Sequence, residues 1–321
     1  MKPIVIYHAN CTDGFGAAFS AWLKLGDEAE YLPMQYGRLD TPQDVAECFD
    51  CSISDREVYI LDFSLKRPAM DWLFQHAKRV VWLDHHKTAF EMWCSKAPDL
   101  FFTVHKEADD QKHIVLDDCK SGAMLAWEYF HPGTEAPMLI RHIDDRDRWQ
   151  FKLEGSKELN AALRSHEPWS FDQWRSLFYD KHANLIKEGA GILRAHNQNV
   201  QAVLKQAQPC TIVPATIVSL DSYKAPWGWW TDPEHGDTCG VKGLAVNAPS
   251  FLASDLGHEL ANKSGTFGLV WSVASDGQVH CSLRSNGEYD VSAIAKAFGG
   301  GGHRNAAGFS TKVGTLLEWL K

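Results

Sequence analysis

Long apolar runs are missing from this chain. No hydrophobic stretch in its 321 residues approaches the roughly 20 needed to cross a bilayer, so a membrane-embedded protein is not expected. Met1-Lys2-Pro3 lead into about four apolar residues, short of the roughly 7–15 of a signal-peptide core, and a cytoplasmic location is expected. Basic charge is scarce too: 32 Lys and Arg against 41 Asp and Glu leave a formal net charge of −9. A surface built for long nucleic acid would be basic. The deficit excludes that class but leaves room for a small anionic substrate held by a local cluster of cations. Only Cys48 and Cys51, among eight cysteines, form a close pair, and no second pair stands at zinc-finger spacing. A structural zinc site is therefore not expected, and the thiols read as buried. There is no internal repeat and no low-complexity tract. The remaining composition, 45% hydrophobic and 23% charged, is that of a globular protein long enough for two domains.

What is present is a repeated junction between apolar strands and polar ligands. Val80-Val81-Trp82-Leu83 runs into Asp84-His85-His86. Pro3 to Tyr7 runs into His8, followed by Asn10, Cys11, Asp13 and Gly14. Val58 to Leu61 runs into Asp62. Parallel strands joined by right-handed crossovers bring such ends to one edge of a sheet, where open α/β sheets bind ligands.

The segments between support that topology. Phe15, Ala18, Phe19, Trp22 and Leu23 repeat at helical spacing, Tyr31 to Tyr36 reads as a strand, Thr41-Pro42 opens a helix, and residues 67–77 form another. Residues 1–86 thus read β-α-β-α-β-α-β, a doubly wound, mostly parallel sheet. Helices are expected over 121–130 and 138–143, the latter delivering Asp144-Asp145-Arg146-Asp147-Arg148-Trp149, and over 157–164, 170–179 and 182–206. From residue 210 the pattern changes: strands at 211–220, 243–246, 265–274 and 279–284, with helices at 250–263 and 291–298. The expected division is 1–181 as an amino-terminal domain, 182–209 as a helical linker, and 210–321 as a smaller carboxyl-terminal α/β domain.

Hard oxygen ligands with some imidazole suit divalent ions that assist phosphate chemistry. His8, Cys11, Asp13, Asp62, Asp84, His85, His86 and the 144–147 aspartates suffice for two such sites sharing a carboxylate. Arg141, His142, Arg146 and Arg148 either contact an anionic substrate or neutralise these aspartates. Near the carboxyl end, Gly299-Gly300-Gly301-Gly302-His303 lets backbone approach an anion closely and present successive N–H groups to it. Asn305-Ala306-Ala307 is compatible with a helix whose N-terminus would add to that field. Pro226-Trp227-Gly228-Trp229-Trp230 reads as a loop pinned by tryptophans or a subunit contact, with stacking on bases as the alternative.

In this order the motifs resemble the DHH phosphoesterase family with its DHHA1 partner domain. His8-Ala9-Asn10-Cys11-Thr12-Asp13-Gly14 resembles the family's first motif, Asp62 the second, Asp84-His85-His86 the third, and Asp145 with Trp149 the fourth. Phe298 to Phe309 resembles the glycine-rich DHHA1 signature, and Ser282-Leu283-Arg284-Ser285 matches that domain too. The resemblance implies a cytoplasmic, manganese-dependent phosphodiesterase with two ions (Co2+, Zn2+ or Mg2+ as alternatives) that hydrolyses short oligonucleotides or linear dinucleotides to nucleoside monophosphates through a two-metal-activated water. Partners would be the substrate and at most a second copy of the chain, with no long duplex and no membrane. His8, Cys11 and Asp62 would hold one ion; Asp13, Asp62, His85 and Asp145 the other. Asp144 and Asp147 are the rivals of Asp145. Asp84 would orient an imidazole, His86 would face the phosphate, and Arg284, Gly300, Gly301, Gly302 and His303 would grip the substrate. Cys11 departs from the family's usual aspartate: either it ligates and shifts metal preference, or an extra water replaces it. Phosphoanhydride (polyphosphate) hydrolysis and a non-catalytic nucleotide sensor are the alternative functions.

Overall fold

The computed structural model describes residues 1–94, 104–179, 182–212, 241–287 and 289–320, with only the backbone of 50–52 and 179. It divides into two compact units, Met1–Arg194 and Ala195–Lys321. The division falls within one helix, α9 (His182–Leu204).

The first unit is built on strands β1 (Ile4–His8), β2 (Glu30–Met34), β3 (Glu57–Leu61), β4 (Arg79–Asp84), β5 (Val104–Ala108) and β6 (Lys112–Asp117), in the order β2-β1-β3-β4-β6-β5. All neighbours are parallel except the β5–β6 edge pair. The central strands are apolar throughout because both their faces are covered. Val5, Tyr7, Tyr59, Leu61, Val81 and Leu83 pack on one side with Phe15, Phe19, Trp127, Ile140 and Trp174. These last come from helices α1 (Thr12–Leu25), α5 (Gly122–Phe130), α6 (Met138–Asp147) and α8 (Phe171–Tyr179). Ile4, Ile6, Val58, Ile60, Val80 and Trp82 pack on the other side with Val45, Met70, Leu73 and Phe90, from α2 (Pro42–Phe49), α3 (Arg67–His76) and α4 (Lys87–Trp93). The alternation is the strand's period of two, expressed on two buried faces. Since β1 leads to β2 on one side while β3 lies on its other side, the strand order reverses between β1 and β3. That reversal opens a crevice at their carboxyl ends.

The doubly wound reading of residues 1–86 matches this sheet. The β5–β6 hairpin was not expected, because Val104–Ala108 sets His105, Lys106 and Glu107 in succession at a sheet edge and gives no continuous apolar run. Helix α7 (Ser156–Ser165) completes this unit.

The second unit has the order β11-β12-β10-β9-β8-β7, with β7 (Gln208–Ile212), β8 (Val241–Asn247), β9 (Phe267–Val273), β10 (Gln278–Ser285), β11 (Gly301–His303) and β12 (Ala306–Lys312). Only β8 and β9 pair parallel, and α10 (Ala253–Ser264) is their crossover. One face packs on α10 and the end of α9. The other packs on α11 (Val291–Ala297) and α12 (Val313–Trp319). The helix expected from residue 305 is instead strand β12. Its pairing with β10 from Arg284↔Ala306 to Gln278↔Lys312 outweighs the helix propensity of two alanines. The strand expected over 211–220 begins earlier, at Gln208. Its later part and the tryptophan cluster at 227–230 lie outside the described residues. No helix among the described residues is long and apolar enough to cross a membrane.

Candidate metal centre

The switch point of the first sheet is where the ligands gather. In the register Tyr7↔Leu61 and Leu61↔Leu83, His8 at the end of β1, Asp62 just after β3 and Asp84 at the end of β4 stand side by side. Asp62 is 1% exposed and holds φ at +51°. That left-handed conformation costs a non-glycine residue about 1–3 kcal/mol, and Asp and Asn tolerate it best. Its N–H donates to the Leu83 carbonyl at 3.0 Å, which ties the turn to β4. Asp62 Oδ1 is 3.1 Å from His85 Nε2. Asp62 Oδ2 is 3.6 Å from His8 Nδ1, and neither of these two atoms has a hydrogen-bond partner.

Asp13 sits in the first turn of α1 at 1% exposure. Its oxygens accept the N–H groups of Gly122 (2.7 Å) and Ala123 (2.9 Å) at the start of α5. A helix N-terminus favours a carboxylate there. The same turn holds a second acid: Asp144 Oδ1 accepts the Ser121 N–H at 2.7 Å. Gly122 is required by proximity, since a Cβ on it would lie 2.3 Å from Asp62 Cβ.

Two neighbouring ligand sets result, with no residue in common. One atom each of His8, Cys11 and Asp62 lie within 4.8 Å of one another, and so do one atom each of Asp13, His85 and Asp147. His85 Nε2 is 3.6 Å from Asp13 Oδ2 and from Asp147 Oδ2, and with its bond to Asp62 it joins the sets. Asp84, fully buried, belongs to neither trio. Its Oδ1 accepts from His85 N (2.8 Å), His86 N (3.2 Å) and His86 Nδ1 (2.6 Å), so the imidazole it orients is His86.

The last ligand position differs from the sequence expectation. Asp145 does not join the cluster. Its carboxylate is turned the other way, accepting from Lys152 N, Leu153 N and Ser156 Oγ at 2.8, 3.1 and 2.5 Å. It thereby anchors a loop in which Trp149 and Phe151 both hold positive φ. Asp147, two residues on and therefore on the opposite side of the helix end, reaches His85. Spacing to Trp149 could not separate the two; the bend of the chain after the helix does. We expect Asp147→Asn to lower metal occupancy and activity by about 10²-fold while folding is kept. Asp145→Asn should retain metal but lose about 1–3 kcal/mol of stability from the charged acceptor. Metal titration and chemical unfolding of the two variants check this.

The nearby cations are engaged within the unit. Arg148 pairs with Asp144 (3.6 Å), Arg146 lies over the Trp149 ring (4.4 Å), Arg141 bonds Glu135, and His142 bonds Ser156. Two contributors gave no signal in the sequence. Ser121-Gly122-Ala123 offer backbone only. Tyr36, at the end of the predicted second strand, is an exposed residue whose ring packs edge-on to His8 (5.2 Å) and tilted on Phe63 (4.7 Å).

Charge is crowded here. Burial would raise the Asp62 carboxyl, but the imidazoles of His8, His85 and His86 outweigh it and hold it far below its ordinary range. For Asp13, burial and the charges of Asp62 and Asp147 win over His85, and its carboxyl is pushed well above 3.8. Burial and the same neighbouring charges push the Cys11 thiol up. His85 loses basicity by burial but is raised well above 6.5 by Asp62, Asp147 and Asp13.

The raised values of Asp13 and His85 mean that the folded, metal-free chain binds more protons than the unfolded one. Their stabilisation is complete below 3.8 and 6.5 respectively, and is lost as pH rises through the raised values. In EDTA the unfolding midpoint should therefore fall as pH is raised through the window that opens at 6.5. Added Mn2+ should restore it most at the upper end, because ligation replaces protons. A midpoint in EDTA that rises over this window would contradict the cluster.

In the second unit, Arg284, Ala306 and His303 occupy one row across β10, β12 and β11. Arg284 and His303 therefore share a sheet face, about 10 Å apart across two strand spacings. Arg284 donates to Leu283 O and to Ser254 Oγ, both at 2.9 Å. Gly300 and Gly302 lie against the backbone of β12: a Cβ would meet Gly308 O at 2.1 Å and Ala306 O at 2.5 Å respectively. Gly301 begins the β11 pairing opposite Gly308. Gly300 and Gly302 are thus demanded by the β11–β12 hairpin itself.

The sequence profile of the DHHA1 domain matches residues 247–321. An uncharacterised protein of Acanthamoeba polyphaga mimivirus is 32% identical over 320 residues, which take in 96% of this chain and 67% of that protein. Among solved structures, a pGpG-specific phosphodiesterase from Vibrio cholerae aligns over 99% of this chain and 96% of its own, at 12% identity and TM-score 0.45. CDC45 from Entamoeba histolytica aligns over 99% and 93%, at 9% identity and TM-score 0.43. Residues 247–321 therefore form a DHHA1 domain, and the chain as a whole belongs to the same family as the mimiviral protein.

Proposed function

We propose that the protein is a metal-dependent phosphodiesterase acting on short oligonucleotides or linear dinucleotides, releasing nucleoside monophosphates. The observation that carries this is the pair of ligand sets joined at Asp62. The residues fit divalent cations. Asp62 Oδ2 and His8 Nδ1 are buried without partners, and acids crowded as Asp13, Asp62 and Asp147 are repel one another until a cation offsets them. His8, Cys11 and Asp62 would hold one ion, and Asp13, Asp62, His85 and Asp147 the other; manganese is the metal proposed. When bound, such ions supply Lewis-acid stabilisation of charge on the phosphoryl oxygens and acidify water.

The chain's own residues supply orientation and proton transfer. Asp84 accepts the His86 Nδ1 proton at 2.6 Å and fixes the ring, so a proton delivered to the leaving oxygen would come from Nε2. In the second unit, Arg284 and the β11–β12 hairpin would bind a phosphate group. The net charge of −9 also favours small anions over a long duplex. Cytoplasmic activity as a monomer or homodimer belongs to the same reading.

The test is a panel of dinucleotides, cyclic dinucleotides and polyphosphate with Mn2+, Co2+, Zn2+ and Mg2+. Nucleoside monophosphate should accumulate from linear dinucleotides. Release of orthophosphate alone would favour the phosphoanhydride reading, and binding without turnover a sensor.

A further inference from the structure

We infer that the two cation positions differ in kind, making a mixed-metal centre in which Cys11 places a zinc-like ion in one position and leaves a hard ion such as manganese in the other. The inference rests on the metal-dependent reading above and concerns which ions the chain selects.

The first set contains sulfur, nitrogen and oxygen from Cys11, His8 and Asp62; the second contains oxygen, nitrogen and oxygen from Asp13, His85 and Asp147. Thiolate and imidazole select zinc, cobalt or ferrous iron, whereas carboxylates suit manganese and magnesium. The first set is also shaped for a small tetrahedral ion. Two atoms that each bind an ion at about 2.0–2.2 Å in tetrahedral geometry stand about 3.4 Å apart. Asp62 Oδ2 and His8 Nδ1 are 3.6 Å apart, too far for a hydrogen bond, and both are buried without partners.

Cys11 is held in place by backbone. It is the N-cap of α1 with extended φ and ψ, and its carbonyl accepts the Phe15 N–H at 2.9 Å. Its side chain makes no capping bond. An aspartate at this position could cap the helix as well as ligate; cysteine does not serve the helix in that way.

Chelated full-length protein offered equimolar Zn2+ and Mn2+ should retain one equivalent of each after gel filtration. Loaded with Co2+, it should show near-ultraviolet thiolate-to-cobalt charge-transfer absorption. Cys11→Ser should lose the absorption, and Cys11→Asp should lose it and retain two equivalents of Mn2+ instead. Cys119 also lies within 4.8 Å of carboxylates, those of Asp117 and Asp118. Cys119→Ser is therefore the control and should leave the band unchanged.

A wild-type protein that takes up two equivalents of Mn2+ from the mixture, or one whose cobalt band is absent or survives Cys11→Ser, overturns the inference. The wild-type spectrum decides even where a variant fails to fold. These readouts need no turnover. Mixed loading without phosphodiester hydrolysis sinks only the proposed function, and hydrolysis by a two-manganese form without the band sinks only this inference.

Discussion

Asp62→Asn should cut phosphodiesterase activity by about 10³-fold or more while leaving a folded protein. Removing a single oriented charge-stabilising group costs about 10²–10³-fold in comparable sites, and Asp62 stands in one ligand set and bonds His85 of the other. Asparagine is the informative replacement because it fits the volume and tolerates the left-handed φ of +51°; alanine would confound chemistry with backbone strain. The measurement is kcat/KM on a linear dinucleotide with metal content on the same sample. Near-normal rates with two equivalents of metal bound would remove Asp62 from the reaction.

Gly122→Ala should lower stability by about 1–3 kcal/mol, as overpacking does, and activity by about 10²-fold, as a displaced reacting geometry does. The added methyl would sit 2.3 Å from Asp62 Cβ and 2.8 Å from its Oδ1. Neither side yields easily. Asp62 is tied to β4 through its N–H, and the start of α5 is held by Asp13 and Asp144. Unfolding midpoints and single-turnover rates measured together should both move. A variant with unchanged rates would show that α5 can slide without disturbing the acid.

The two predictions mark where sequence reasoning reached and where it stopped. His8, Asp62, Asp84, His85 and His86 were legible because each ends an apolar strand, and parallel topology forces strand ends together. Asp13 was legible from its place after the first strand. Asp147 was not, since 144–147 holds three acids and only the turn after α6 decides which carboxylate faces inward. Ser121 to Ala123 were invisible because their contribution is two N–H groups and a missing side chain. The row joining Arg284 and His303 needed strand pairing between 278–285 and 306–312, which a run of glycines and alanines does not announce.

The arrangement at the start of α5 bears on what happens between turnovers. The first amides of that helix hold Asp13 and Asp144. The walls of the proposed site are consequently braced from behind, by a frame of main-chain N–H groups. A departing product would leave that frame upright for the next molecule.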